Sequence, residues 1–165
     1  MKRLLVLRHA KSSWDDPTAA DHERELAPRG RRAAARVEAH LRSSGARVDL
    51  VLCSSARRTR QTLELIEPAL GEAEVIIEPA LYGASTADLL DRLRRIPEEV
   101  AAAMLIGHNP AMQDLALEIG TGDLSGVRGK FPTAALATFE LDGPWSDLRE
   151  GRARLVAFVT PRELE

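Results

Sequence analysis

The stretch LLVLRHAKSSW, Leu4 to Trp14, joins an uninterrupted apolar run to Arg8, His9 and Lys11. Leu4–Leu7 contains no polar residue, which is the pattern of a strand covered on both faces rather than on one. An apolar strand that opens onto three cationic or cationisable side chains has either reached solvent or reached an anion. The rest of the chain bears on which.

Three further short runs have the same character: Val48–Leu52, Val75–Ile77 and Ala103–Ile106, with Arg3–Leu7 as the first strand. Helical patterns lie between them. Pro28 suits a first helical turn, where its missing N–H costs little. Val37 and Leu41 then share one face, leaving Arg31, Arg32 and Arg36 for solvent. Leu63, Ile66 and Leu70 form a second stripe; Leu89, Leu90 and Leu93 mark a third helix. Asn109-Pro110 reads as an N-cap followed by a first-turn proline, with Met112, Leu115, Ala116 and Ile119 as the buried face of a fourth helix. ALATFEL from Ala135 and ARLVAFV from Ala153 read as two antiparallel strands joined by DGPWSDLREG. GTGDLSGVRG, from Gly120, reads as a mobile loop, and no Gly-Lys-Ser/Thr follows to make it a phosphate loop. The order βαβαβαβα followed by two strands predicts an α/β fold. We expect a single three-layer α/β/α domain over residues 1–165, with a mainly parallel central sheet and an antiparallel C-terminal strand.

Composition narrows the function. A chain of 165 residues favours one core, and a net charge of −2 supplies no surplus for gripping nucleic acid. The single cysteine, Cys53, excludes an internal disulfide. The apolar run after Met1-Lys2-Arg3 is too short for a signal-peptide core, and no later segment approaches a membrane span. These features lead us to expect a cytoplasmic monomer with neither membrane nor nucleic acid as partner.

In open α/β sheets, ligands bind beyond the carboxyl ends of the strands. The first strand delivers Arg8 and His9 there. The second is followed by CSSARRTRQT, with Arg57, Arg58 and Arg60 opening a helix, and the fourth by LIGHNP, with His108. Arginines at a helix N-terminus oppose its dipole by a few tenths of a kcal/mol, roughly, which a bound anion offsets. The guanidinium fork also matches phosphate oxygens. Residues two apart on a helix face different ways, so the three arginines cannot all share the site. His40 reads as solvated, and so does His22, although its loop can border a pocket. The four histidines show no compact metal-ligand spacing. Cys53 precedes Arg58 by one residue too few for a cysteine phosphatase loop. A phosphate-binding module without turnover is the remaining rival.

These residues resemble the histidine phosphatase, or phosphoglycerate-mutase-like, superfamily. Arg8-His9-Ala10 is similar to its Arg-His-Gly. SSARRTRQT aligns Ser54, Arg58, Gln61 and Thr62 with its second motif and so selects Arg58. ELAPRGRRAA matches a Leu-Thr-x-x-Gly segment at Leu26 and Gly30. LIGHNP supplies the second histidine, and KFPTAALATFEL resembles the segment that follows in the small SixA-like phosphohistidine phosphatases. Ala10, Ser55 and Ala27 depart from the common glycine, proline and threonine. The glutamate that many relatives carry as general acid has no clear counterpart in EPALYGASTADLL: Glu78 falls before its place and Asp88 within the next helix.

The resemblance implies that His9 is the nucleophile and forms a phosphohistidine intermediate, its other ring nitrogen donating to a backbone carbonyl. It implies that Arg8 and Arg58 bind the phosphoryl oxygens and that His108, wholly or partly protonated beside the dianion, adds a third donor. Lys11 and Ser12, next along the chain, are candidates for secondary phosphate contacts or simply lead into the loop. No metal or other cofactor is required, because the arginines bring the positive charge. The substrate is a phosphorylated protein, with phosphohistidine favoured because its leaving imidazole can carry its own proton, or else a small phosphomonoester.

Overall fold

Why does LLVL carry no polar residue? The structure, a computed structural model describing residues 1–165, places β1 (Lys2–Arg8) in the middle of a seven-stranded sheet. Leu4 and Val6 enter the apolar cluster on one face, Leu5 and Leu7 the cluster on the other. The same alternation holds in β2 (Leu50–Ser54) and β4 (Ala102–Gly107), whose residues are all buried. Both faces are covered, so both side-chain sets are apolar.

The chain alternates as expected: β1, α1 (Pro28–Ser44), β2, α2 (Arg57–Ile66), β3 (Glu74–Glu78), α3 (Thr86–Arg94), β4 and α4 (Ala111–Ile119). After α4 come β5 (Gly120–Thr121), α5 (Ser125–Gly129), β6 (Leu136–Leu141) and β7 (Ala153–Val159). The sheet order is β3-β2-β4-β1-β6-β7-β5. β3, β2, β4 and β1 are parallel neighbours, whereas β6 runs antiparallel to both β1 and β7. The antiparallel member is thus the first of the two C-terminal strands, and β7 returns to the common direction. The fold is α/β, with α1 and α2 packed on one face and α3, α4 and α5 on the other. No helix is long and apolar enough to cross a membrane.

Two local expectations are corrected. GTGDLSGVRG is ordered: Gly120 and Thr121 pair with Ala153 and Arg154, and α5 follows. Its turn-rich composition conceals two anchors, Leu124 and Val127, which are buried. Asp123 accepts the Ser125 amide at 3.1 Å and so starts the helix. The fourth helix begins at Ala111, one residue later than Asn109-Pro110 suggests, although Asn109 Oδ1 still accepts the Gln113 amide.

Topology decides the site. β4 lies between β1 and β2, with Arg8 opposite Gly107 and Cys53 opposite Ile106. The three strand ends that carry Arg8-His9, Ser54 and His108 therefore meet at one edge.

Candidate active site

His9 is buried and held at three points. Its amide donates to Gly107 O at 3.1 Å, and its carbonyl accepts the Ala134 amide at 3.0 Å. Its ring Nδ1 lies 2.7 Å from Ala10 O, which can only accept. Nδ1 therefore carries the proton and Nε2 carries the lone pair. Burial pushes the ring down to about 3, with further lowering from His108, Arg58 and Arg8, so it is neutral at physiological pH.

His108 stands beside it, the ring centroids 5.3 Å apart. Its Nε2 lies 2.8 Å from Ser54 Oγ. That hydroxyl accepts the Ala56 amide and has no other acceptor for its own proton, which therefore goes to Nε2. The ring proton then sits on Nδ1, which is buried and has no partner in the chain. Burial, and after it Arg58, lowers His108 to about 4. Without an anion beside it the ring is thus a neutral N–H donor; the protonation expected of it is that of the ring against a bound dianion. Desolvation is the main reason for the neutral state, with Arg58 next, and the opposing pull of Asp21 does not repay the cost of charging the ring.

Arg8 and Arg58 complete the group. Arg8 Nη1 donates to Phe131 O at 3.1 Å. Arg58 is buried and directs Nη1 to Asp21 O at 2.8 Å and Nη2 to Asp21 Oδ2 at 3.1 Å. Each leaves a buried Nε without a partner. Arg57 instead pairs with Glu25, and Arg60 donates to Ser55 O, so both point away. Burial first, and then the neighbouring Arg58, depresses Arg8 below the usual arginine range.

The remaining motif residues build the frame. Thr62 Oγ1 accepts the Ala10 amide at 3.0 Å and donates to Arg58 O, tying the histidine segment to the arginine helix. Gln61 Oε1 accepts the Leu26 amide at 2.7 Å. A Cβ on Gly30 would lie 2.1 Å from Lys11 O, so only glycine lets α1 approach the loop after His9. The departures are accommodated as well. Ala10 is fully buried and does not have a positive φ. Ser55 Oγ lies 2.9 Å from His22 Nε2, a tether proline could not make.

The secondary contacts divide. Lys11 is exposed and lines a groove beside the site, while Ser12 is buried and its hydroxyl accepts Arg24 Nη1 at 2.6 Å. His40 is half-buried on α1, away from the strand ends. His22 is half-buried, its ring edge-on to Tyr82 at 4.8 Å.

Sequence reasoning missed Asp21 and Tyr82. Asp21 lies in a short 3-10 turn, Asp21–Glu23. It accepts from the Tyr82 hydroxyl at 2.6 Å, from Arg58, and from Arg24 Nε at 3.2 Å. The Tyr82 bond, and then Arg58 and Arg24, hold it down to about 2, so it is a carboxylate and not a proton donor. The only sequence signal was the charge density of DHERE. The two carboxylates weighed as general acids are structural: Glu78 accepts Arg92 Nε at 2.7 Å, and Asp88 closes a capping box with Ser85.

The rival chemistries find no support in these contacts. Cys53 is fully buried and its thiol is pushed up to about 12 by desolvation, which removes the thiolate a cysteine phosphatase needs. No three His, Cys, Asp or Glu side chains gather within coordinating reach of one point.

The family model for the histidine phosphatase superfamily (branch 1) matches residues 4–110, which contain all four site residues. The chain belongs to the histidine phosphatase superfamily. An uncharacterized protein of Mycobacterium tuberculosis is 37% identical over 166 residues, covering 94% of this chain and 100% of that one. Among solved structures, the candidate phosphohistidine phosphatase SixA of Nakamurella multipartitia superposes with a TM-score of 0.87 at 28% identity, over 97% of this chain and 96% of that one. The corresponding protein of Agrobacterium tumefaciens gives 0.83 at 30% identity, over 97% and 98%. This histidine phosphatase is thus of the SixA-like branch and is a phosphatase by family.

Proposed function

We propose that this histidine phosphatase, acting as one domain over residues 1–165, hydrolyses protein phosphohistidine through a phosphoryl group carried transiently on His9. One observation carries the reading. The buried side-chain polar atoms without partners are Arg8 Nε, Arg58 Nε and His108 Nδ1, and all three belong to this site. Leaving a buried donor unpaired costs about 1–3 kcal/mol each. A phosphoryl group accepts from all three at once, and its negative charge is where such donors act most strongly.

The residues then have separate tasks. His9 Nε2 attacks phosphorus in line; the P–N bond forms as the bond to the leaving group breaks. Nδ1–H on Ala10 O keeps the lone pair on Nε2 and steadies the charge that develops on the ring. Arg8, Arg58 and His108 hold the equatorial oxygens. Water attacks the phosphohistidine in the second step, releasing phosphate and restoring neutral His9. The cationic donors make a metal unnecessary.

The leaving group sets the substrate. An alkoxide needs a proton, yet Asp21 is ionised, and Glu78 and Asp88 are engaged elsewhere. The imidazole of phosphohistidine arrives able to carry its own proton, so it leaves without help.

The test compares a phosphohistidine protein, a sugar phosphate and an aryl phosphate with wild type and His9→Ala, with and without chelator. Phosphohistidine should be preferred over the sugar phosphate by at least ~10²-fold in kcat/KM, unaffected by chelator, and acid quenching should trap label on wild type only. Equal turnover of the sugar phosphate would overturn the substrate reading. Undiminished turnover by His9→Ala would overturn the mechanism.

A further inference from the structure

A second positively charged feature lies next to the site. A groove of about 550 Å3 is lined by Lys11, Arg29, Arg36, Lys130 and Arg162, with Glu165 as its single acid. Two of the segments that line the groove adjoin the strand end that carries His9. Lys11 follows His9 by two residues. Lys130 precedes Phe131, whose carbonyl accepts from both Arg8 and Asn109. Pro132 and Thr133 line the groove immediately before Ala134, whose amide donates to the Arg8 and His9 carbonyls.

These cations lack partners. Other arginines around the site are matched, Arg24 and Arg58 by Asp21, Arg57 by Glu25 and Arg60 by Glu23. On α1 itself, Arg42 pairs with Glu38. No such pair forms at Lys11, Arg29, Arg36, Lys130 or Arg162. The first turn of α1 adds to the effect: Ala27 supplies no side-chain cap, and the turn itself carries no acidic residue. In a chain whose net charge is −2, this is a local concentration of charge, not a general basicity.

We propose that this groove docks acidic side chains that flank the phosphorylated residue of a protein substrate. The proposal rests on the phosphohistidine reading and adds to it the surface that is recognised. Arg29 and Arg36 are seven residues apart on α1, roughly 10 Å along the helix axis, more than one phosphate spans. About three residues of extended chain cover that distance. No aromatic side chain lines the groove to stack a nucleobase. Exposed charges of this kind act mainly on encounter and orientation, and they weaken with salt.

The test uses phosphohistidine peptides with Glu-rich or Ala/Ser flanks, an aryl phosphate, and the full chain as wild type and as the triple variant Arg29→Glu, Arg36→Glu, Arg162→Glu. Wild type should turn over the Glu-flanked peptide with a kcat/KM at least tenfold above the neutral one at low salt. That advantage should shrink in 0.5 M NaCl and vanish in the variant, while aryl phosphate kinetics stay within twofold in both. Equal kcat/KM for the two peptides in wild type, or an undiminished preference in the variant, overturns the proposal. If neither peptide is hydrolysed while the aryl phosphate is, the substrate reading above fails, and binding decides the groove. Fluorescence anisotropy with the unphosphorylated Glu-rich peptide should then show binding that the charge reversals abolish, and no binding overturns the proposal. An RNA oligonucleotide of equal length that binds as tightly would also overturn it.

Discussion

The imidazole rings of His9 and His108 lie 5.3 Å apart between centroids, tilted by 51°, and burial holds both uncharged. Two adjacent histidines thus present opposite faces of the same chemistry, a lone pair on His9 and an N–H on His108. Their neighbours decide which is which: Ala10 O takes the proton of one, and Ser54 Oγ gives a proton to the other.

This protonation state makes stability depend on pH in a definite direction. Both folded pKa values, about 3 and about 4, lie below the ordinary histidine value of 6.5. Between these limits the unfolded chain binds more protons, so stability falls as pH drops below about 6.5 and is level above it. Urea unfolding should show a loss on the order of 2–5 kcal/mol between pH 7.5 and 4.5. His108→Gln should reduce that slope. Asp21, lowered to about 2, adds a loss of the same sign only below about pH 4.

Arg58 and Asp21 form one unit, with both terminal nitrogens of the guanidinium on Asp21 and Nε left for the ligand. Arg58→Ala should lower kcat/KM by roughly 10²–10³-fold, and Arg58→Lys should not restore it, because an ammonium cannot hold Asp21 and an oxyanion in that fork. Asp21→Asn should cost about tenfold. The double variant should be less impaired than the product of the two effects, with a coupling of about 1–2 kcal/mol in a kinetic cycle.

Cys53→Ser separates packing from chemistry. The thiol is buried among apolar residues and pushed up to about 12. Activity should stay within twofold of wild type. The melting temperature should fall by several degrees, for a loss of about 1–2 kcal/mol from the buried hydroxyl.

Gly30→Ala should disturb the site without touching it. The new methyl would lie 2.1 Å from Lys11 O, against backbone that cannot move aside cheaply. Lys11 O also accepts the Ala27 amide at 2.9 Å, so displacement reaches the start of α1. A loss of about 1–3 kcal/mol in denaturant unfolding, with a fall in kcat, is the expected result.

Much of this was legible in the chain because the signals are local or carried by spacing. LLVL declares a strand buried on both faces, since hydrophobic periodicity reports the environment of neighbouring residues. Arg8, His9 and His108 sit just past predicted strands and Arg58 in the first turn of the helix after another, and a parallel sheet brings such ends to one edge whatever the order of its strands. The loop GTGDLSGVRG was misread because its glycines resemble a linker, while Leu124 and Val127 are anchored only by packing against the rest of the fold.

By itself, then, the amino-acid order determined the strand–helix alternation, the edge where the site forms, and Arg8, His9 and His108 as candidates at its centre, with Arg58 singled out from Arg57 and Arg60 only by resemblance. Only the tertiary structure decided which of those side chains are charged and how they are aimed. Asp21 meets Tyr82 and Arg58 across separations of 61 and 37 residues. Burial, which sets the histidine protonation states, belongs to no residue until the sheet and its helices have closed around it.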